Sequence, residues 1–229
     1  MIRSIVVNLA KKVLKLLGAD NIKRLVLEKE EKQALKFINK GYLRDIGWWD
    51  SWQYKQPVRN KNEAIPWVTY SFIYFIQDRI LPTHKIFEFG SGNSTMFYAK
   101  RARKVVAVEH DNEWYHKINS VVPDNVEMLL QELEYDGDYC RVARNLQEKF
   151  DIIIVDGRDR VNCIKQSVEA LSENGIIILD DSERDAYQEG INYLKERDFR
   201  MVEFWGISPG LFYLKATSIF YRTDNSLSI

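Results

Sequence analysis

Four short acidic segments hold the residues whose types could do chemistry: Glu88-Phe89-Gly90-Ser91-Gly92-Asn93-Ser94-Thr95, Glu109-His110-Asp111, Asp156-Gly157-Arg158 and Asp180-Asp181-Ser182. Each closes a short apolar run. Two glycines after a strand and before a helix let the backbone turn tightly and approach a ligand closely. Glu109 lies 19 residues after Gly90, and an acid about 20 residues on accepts hydrogen bonds from ribose hydroxyls. A nucleoside-binding site is expected. Thr95 stands where a dinucleotide fingerprint has its third glycine, and no Gly-Lys-Ser/Thr ending marks a phosphate loop. Glu88 would repel a pyrophosphate but can help hold an amino acid's ammonium. A phosphate-free nucleoside therefore fits better. Its candidate binding residues are Glu88, Gly90, Ser91, Gly92, Ser94, Thr95, Glu109, His110 and Asp156.

Asp156, Asp180 and Asp181 end neighbouring strands in this reading. Three carboxylates together repel unless protonated or bound to a cation, and an all-oxygen set suits Mg²⁺ or Ca²⁺. The bland alternative is that Asp181 caps the next helix and Asp156 accepts from backbone amides. Asp156 and Asp181 are the candidate catalytic bases, with His110 more remote. Arg158 and Arg160 could anchor an anionic acceptor or form surface ion pairs with Glu183 or Asp185. Trp48, Trp49, Trp52, Trp67 and Tyr70 could wall an acceptor pocket or pack as core. Cys140 and Cys163 are expected to be inert buried thiols.

The elements that must position these residues are legible from Lys85 onwards. Strands are expected over Lys85–Phe89, Val105–Glu109, Val126–Leu130, Asp151–Asp156, Ile176–Asp180, Arg200–Phe204 and Ser218–Arg222, with helices near 94–102, 112–119, 139–148, 160–173 and 183–196. This alternation predicts an α/β fold, a Rossmann-like doubly wound sheet of seven strands with helices on both faces. The last two strands lack a helix between them, so the final strand is antiparallel. In such a sheet ligands bind beyond the carboxyl ends of the strands.

Upstream, residues 41–65 read as an aromatic loop, and a helix is expected from Pro66 to Ile80. Ile2, Ile5, Val6, Leu9, Val13, Leu16 and Leu17 fall on one helical face, with Arg3, Lys11, Lys12 and Lys15 elsewhere on the wheel. Such a basic amphipathic helix suits weak contact with a membrane surface, or docking on its own domain or a second subunit. A second helix is expected over 22–39. The division expected is a helical and aromatic extension over 1–65 and the α/β domain over 66–229.

The 33 basic side chains balance the 33 acidic ones, against a general nucleic-acid binder. Apolar runs such as Ile176–Leu179 fall far short of the ~20 residues of a membrane span. Two cysteines make no disulfide framework, so a cytoplasmic, reducing setting is expected, with peripheral membrane contact through residues 2–17.

From Lys85 to the C-terminus the chain resembles the class I S-adenosylmethionine-dependent methyltransferases. Glu88-Phe89-Gly90-Ser91-Gly92 looks like their first motif and Glu109 like their second, although Ser94 replaces the usual third glycine. With Val-Glu-His-Asp, Val-Asp-Gly-Arg and Thr217-Ser218-Ile219-Phe220-Tyr221-Arg222, it is more specifically similar to bacterial methyltransferase-like proteins found among glycan and secondary-metabolite genes. The resemblance implies S-adenosylmethionine as methyl donor. The Gly90 loop would hold its methionine part, Glu109 its ribose, and Gln131 and Glu132 would lie near its adenine. The Asp156, Asp180, Asp181 set is similar to that of metal-dependent O-methyltransferases, which bind Mg²⁺ there. The expected function is O-methylation of a small-molecule or sugar hydroxyl. The alternatives are N-methylation or a non-catalytic nucleoside-binding module, and no nucleic-acid partner is expected.

Overall fold

The computed structural model describes residues 40–60 and 62–229. The helices expected over 2–17 and 22–39, and the membrane contact expected of the first, lie outside these residues. Seven strands form one sheet: β1 (Lys85–Phe89), β2 (Lys104–Glu109), β3 (Val126–Leu130), β4 (Phe150–Val155), β5 (Leu171–Asp180), β6 (Arg200–Gly206) and β7 (Lys215–Tyr221). Their order is β3-β2-β1-β4-β5-β7-β6. The first five are parallel, and β7 runs antiparallel to both β5 and β6. The doubly wound α/β architecture with an antiparallel last strand is therefore present. The chain reverses its winding between β1 and β4, and that switch point opens a crevice at the carboxyl edge.

Alternation along each strand divides the core between the two faces of the sheet. Ile86, Val105, Ile152, Ile154, Ile176, Ile178 and Ile219 face one side, against Trp48, Phe72, Ile73 and Ile76. Phe87, Phe89, Val106, Val108, Ile153, Val155, Ile177, Leu179 and Phe220 face the other, against Tyr139, Ile164, Ile191 and Leu194. Burial on both faces explains why the central strands read as continuous apolar runs. Cys140 and Cys163 are free and buried.

The upstream region differs from the sequence expectation. Residues 41–65, expected as a loop, hold α1 (Tyr42–Asp45), α2 (Trp48–Tyr54) and a two-residue ribbon pairing Val58–Arg59 with Glu63–Ala64. Helix α3 spans only Tyr70–Ile76, not Pro66–Ile80. Its delayed start has a tertiary cause. The Thr69 N–H is donated to Thr217 Oγ1 at 3.2 Å and the Tyr70 N–H to the Ile207 carbonyl at 3.1 Å. Thr69 is thereby held extended (φ −65°, ψ 143°), and the helix starts only after it.

Four further helices carry the remaining connections: α4 (Asn93–Ala99), α5 (Asn112–Asn119), α6 (Asp138–Asn145) and α7 (Arg160–Ser167). The helix expected over 160–173 ends at Ser167, a 3₁₀ turn over Val168–Ala170 follows, and β5 begins at Leu171. The last helix, α8, spans Gln188–Lys195. Among the described residues no helix is long and apolar enough to cross a membrane.

Candidate functional site

β1 delivers Glu88 to the crevice, and Gly90 begins the loop to α4. Gly90 has φ +96°, a conformation that L side chains rarely adopt. Gly157, just past β4, faces it. A Cβ on Gly157 would lie 3.0 Å from the Gly90 nitrogen and 2.3 Å from Tyr139 Oη, and one on Gly90 would lie 3.3 Å from the Gly157 Cα. Two bare glycines thus let the ends of β1 and β4 close on each other at backbone distance.

Glu88 is 1% exposed. It accepts from Thr95 Oγ1 at 2.6 Å, and Thr95 Oγ1 accepts from the Gly92 N–H at 3.0 Å. Burial pushes the Glu88 carboxyl up to about 7, aided by the Glu109 charge and opposed by hydrogen bonds from Ser94 and Thr95. A buried, easily protonated acid beside a cavity is poised for a cationic partner, which would restore its charge.

Glu109 ends β2 with both carboxylate oxygens hydrogen-bonded, Oε2 by a single donor. Oε2 accepts from Ser91 Oγ at 2.9 Å, while Oε1 accepts from the backbone N–H groups of His110 at 2.8 Å and Asp111 at 3.1 Å. His110 Nδ1 lies 2.9 Å from the same Oε1. Asp111 caps α5 through the Trp114 N–H, and the Trp114 indole donates to the Ser91 carbonyl at 3.0 Å. The Gly90 loop is thereby laced to the end of β2.

These residues surround a cavity of about 240 Å³. Of the nine candidates for nucleoside binding, Glu88, Gly90, Ser91, Ser94, Glu109, His110 and Asp156 line it, joined by Gly157, Arg158 and Arg160. Gly92 and Thr95 stand behind the wall, holding Glu88 and the start of α4. Beyond Glu109 and His110 a wider hollow continues past Trp114. Gln131 and Glu132 line a separate recess with Glu134 and Asp138.

Asp156 also borders a second cavity, of about 390 Å³, with Asp180, Asp181, Lys215, Arg184, Trp67, Leu211 and Tyr213. The expected convergence of Asp156, Asp180 and Asp181 is present, but they do not form a metal centre. Lys215 Nζ lies 2.6 Å from both Asp180 Oδ2 and Asp181 Oδ1. Thr217 Oγ1 donates to Asp180 Oδ1 at 2.7 Å. Arg160 pairs with Asp156 Oδ1 at 3.0 Å and with Asp181 Oδ2 at 3.4 Å, and Arg184 reaches Asp181 Oδ2 at 2.8 Å. Among the described residues no group of three or more His, Cys, Asp or Glu side chains is placed to hold a metal ion. The Mg²⁺ expectation is not supported: Lys215, Arg160 and Arg184 hold both oxygens of Asp181 and one oxygen each of Asp156 and Asp180, and the Thr217 hydroxyl holds the other Asp180 oxygen.

Asp181 is no helix cap either, since its carboxylate is spent on these cations and its backbone takes φ +53°. Arg160 does not pair with Glu183 or Asp185. Burial works against its guanidinium, but Asp156, Asp180 and Asp181 outweigh it and raise its pKa. Burial, with the Asp180 charge beside it, pushes the Asp156 carboxyl well above the usual aspartate range.

Of the aromatics, Trp67 lines the second cavity, held by its indole N–H donating to the Pro209 carbonyl at 2.8 Å. Trp48 and Tyr70 are core, and Trp52 stacks on Trp49 at 5.1 Å. To the residues expected from the sequence the structure adds Lys215, Thr217, Gly157 and Tyr213.

No family model matches the chain, and no curated protein does. Solved structures do resemble it. A methyltransferase from Geobacter sulfurreducens aligns over 86% of this chain and 97% of its own, at 14% identity and a TM-score of 0.52. A SAM-dependent O-methyltransferase from Thermotoga maritima aligns over 73% of this chain and 66% of its own, at 19% identity and a TM-score of 0.50. A precorrin-6y C5,15-methyltransferase from Geobacter metallireducens aligns over 66% of this chain and 87% of its own, at 11% identity and a TM-score of 0.52. The crevice at the carboxyl edge is thus built on the class I S-adenosylmethionine-dependent methyltransferase fold.

Proposed function

We propose that the protein is an S-adenosylmethionine-dependent O-methyltransferase acting on a hydroxyl of a small molecule or sugar. The observation that carries this reading is the position of Asp156, which borders both cavities at once. The first cavity offers what the donor needs. The Gly90 and Gly157 backbones give close approach, Glu109 accepts from ribose hydroxyls, and Glu88 meets the ammonium of the methionine part. The second cavity takes the acceptor, its ring against Trp67 and Tyr213.

The bound donor supplies a sulfonium methyl group. The chain supplies orientation, which accounts for much of the acceleration of an in-line transfer. It also supplies a base, since an alcohol must lose its proton as it attacks. Asp156 sits between the two ligands, and its raised proton affinity makes it a stronger base than an ordinary aspartate. Asp181 is tied to three cations and serves as scaffold. The balance of 33 basic and 33 acidic side chains favours a small acceptor over a nucleic acid.

Calorimetry with S-adenosylhomocysteine and with a nicotinamide dinucleotide tests the donor site. A methyl-transfer screen over sugar nucleotides, glycans, phenols and amines tests the acceptor. Micromolar binding of the homocysteine compound and transfer to hydroxyls are expected. Preference for the dinucleotide, or transfer to amines alone, would overturn the reading.

A further inference from the structure

Lys215 is 3% exposed, and its two carboxylate partners Asp180 and Asp181 are 2% and 6% exposed. Burial works against the ammonium, but the two carboxylates outweigh it and raise its pKa, so it stays charged. An ammonium has three donors. Asp180 Oδ2 and Asp181 Oδ1 take two, each at 2.6 Å. The third has no partner among the described residues, and Lys215 lines the acceptor-side cavity together with Asp156. A buried ion pair is a poor device for stability alone, because desolvation offsets much of its attraction. This one lies at the border of a cavity with one donor left over.

We infer that Lys215 is the built-in cation of the acceptor site, standing where a divalent ion would otherwise be needed and donating its remaining N–H to the acceptor oxygen. The inference rests on the methyltransferase reading and narrows it to hydroxyl acceptors and metal-independent transfer. An oxygen between Lys215 and Asp156 meets a donor for its developing negative charge and an acceptor for its proton. As the new O–C bond forms, the S–C bond of the sulfonium breaks and the sulfur leaves as a neutral thioether. The hydroxyl proton passes to the Asp156 carboxylate and then to solvent, so the positive charge lost from sulfur leaves as that proton. An amine attacks in its neutral form and its nitrogen gains positive charge as the N–C bond forms, which the fixed ammonium beside it opposes.

The test has an acceptor-free arm and an activity arm, both on the full chain. In the first, wild-type protein and Lys215→Ala, each with S-adenosylhomocysteine bound, are titrated with Mn²⁺ and followed by water-proton relaxation. Wild type is expected to take up no Mn²⁺ at the cluster. Lys215→Ala is expected to gain a site that a further Asp180→Asn removes. In the second, transfer to the hydroxyl acceptor found by the screen is measured with EDTA, with Mg²⁺ and in Lys215→Met. EDTA is expected to change nothing. Lys215→Met should lower kcat by about a hundredfold or more, the loss typical of a removed oxyanion donor, with homocysteine-compound affinity held within about twofold.

Mn²⁺ uptake by wild type that Asp180→Asn abolishes, turnover lost to EDTA and restored by Mg²⁺, a folded Lys215→Ala that takes up no Mn²⁺, or wild-type kcat in Lys215→Met would each overturn the inference. Should the neutral variants fail to fold, Lys215→Arg keeps the charge, and metal-dependent turnover in it or in wild type is decisive against the role. Absence of S-adenosylhomocysteine binding by wild type overturns the methyltransferase reading itself. Donor binding with EDTA-sensitive turnover overturns only the role of Lys215.

Discussion

Thr95 Oγ1 lies 2.6 Å from Glu88 Oε2, to which it donates, and 3.0 Å from the Gly92 nitrogen, from which it accepts. One hydroxyl therefore joins the end of β1, the glycine loop and the first turn of α4. Both Thr95 and Glu88 are buried. A dinucleotide fingerprint has a bare glycine at this position, to admit a close helix. Here a side chain fills it and fixes the acid instead. The bond favours ionised Glu88, but burial outweighs it.

That balance makes the free protein's stability depend on pH. The Glu88 carboxyl titrates at about 7 folded against an ordinary 4.5. The folded state therefore holds a proton that the unfolded chain releases, and stability is lost as pH rises from 4.5 to about 7. At about 1.4 kcal/mol per pH unit the loss comes to about 3 kcal/mol. Glu88→Gln should reduce this slope in urea melts across that range, leaving the part contributed by Asp156, whose carboxyl is also raised. An unchanged slope would show that another group causes it.

Donor binding should be linked to the same proton. If the ligand ammonium meets Glu88, binding near pH 6.5 drives the carboxyl to its charged form and releases a proton. Calorimetry with S-adenosylhomocysteine in two buffers of different ionisation enthalpy measures that release. It should vanish in Glu88→Gln.

Glu109→Ala removes the carboxylate that Ser91, His110 and Asp111 all address. A lost hydrogen bond to a charged group costs about 1.5–3 kcal/mol, so affinity for S-adenosylhomocysteine should fall by roughly 10–100-fold. Adenine alone should lose little. Equal losses for both ligands would mean that the substitution collapses the loop rather than removing a ribose contact.

Asp156→Asn should abolish transfer while leaving homocysteine-compound binding near wild type. As the proposed base, Asp156 acts as the carboxylate, and burial raises its proton affinity. Turnover should therefore fall on the acid side, with an apparent pKa above the ordinary aspartate range. A flat acid limb, or full activity in Asp156→Asn, would move the base elsewhere.

Gly157→Ala places a Cβ 2.3 Å from Tyr139 Oη and 3.0 Å from the Gly90 nitrogen. Backbone on one side cannot yield cheaply, so a loss of about 1–3 kcal/mol is expected, as for overpacking elsewhere. Gly206→Ala is the control, since its nearest contact would be Ser71 Oγ at an ordinary 3.6 Å. Similar denaturation midpoints for the two variants would remove the close-approach explanation.

The parallel half of the fold and the first cavity were legible in the sequence because their signals are local. A strand buried on both faces reads as an apolar run, a glycine turn announces itself by composition, and each candidate acid closes such a run. Hence β1 and β3 match their expected limits, and Glu88, Gly90, Ser91, Ser94, Glu109, His110 and Asp156 meet around one cavity. Helix α3 departs from its expected start for the opposite reason. Its start at Tyr70 is dictated by Thr217 and Ile207, well over a hundred positions away.

Lys215 was invisible to the sequence by the same logic. Scanning the carboxyl ends of strands finds Asp156 and Asp180, but β7 runs antiparallel, so its first residue reaches that edge rather than its last. Its pairing sets Thr217 opposite Asp180, which brings Lys215, two residues earlier, to Asp180 and Asp181. The sequence by itself placed three carboxylates at neighbouring strand ends, where they would be protonated or meet a cation. Only the antiparallel register decided that a lysine, flanked by Arg160 and Arg184, supplies it, because which cation meets a carboxylate depends on strand direction and pairing, and neither is written in the local sequence.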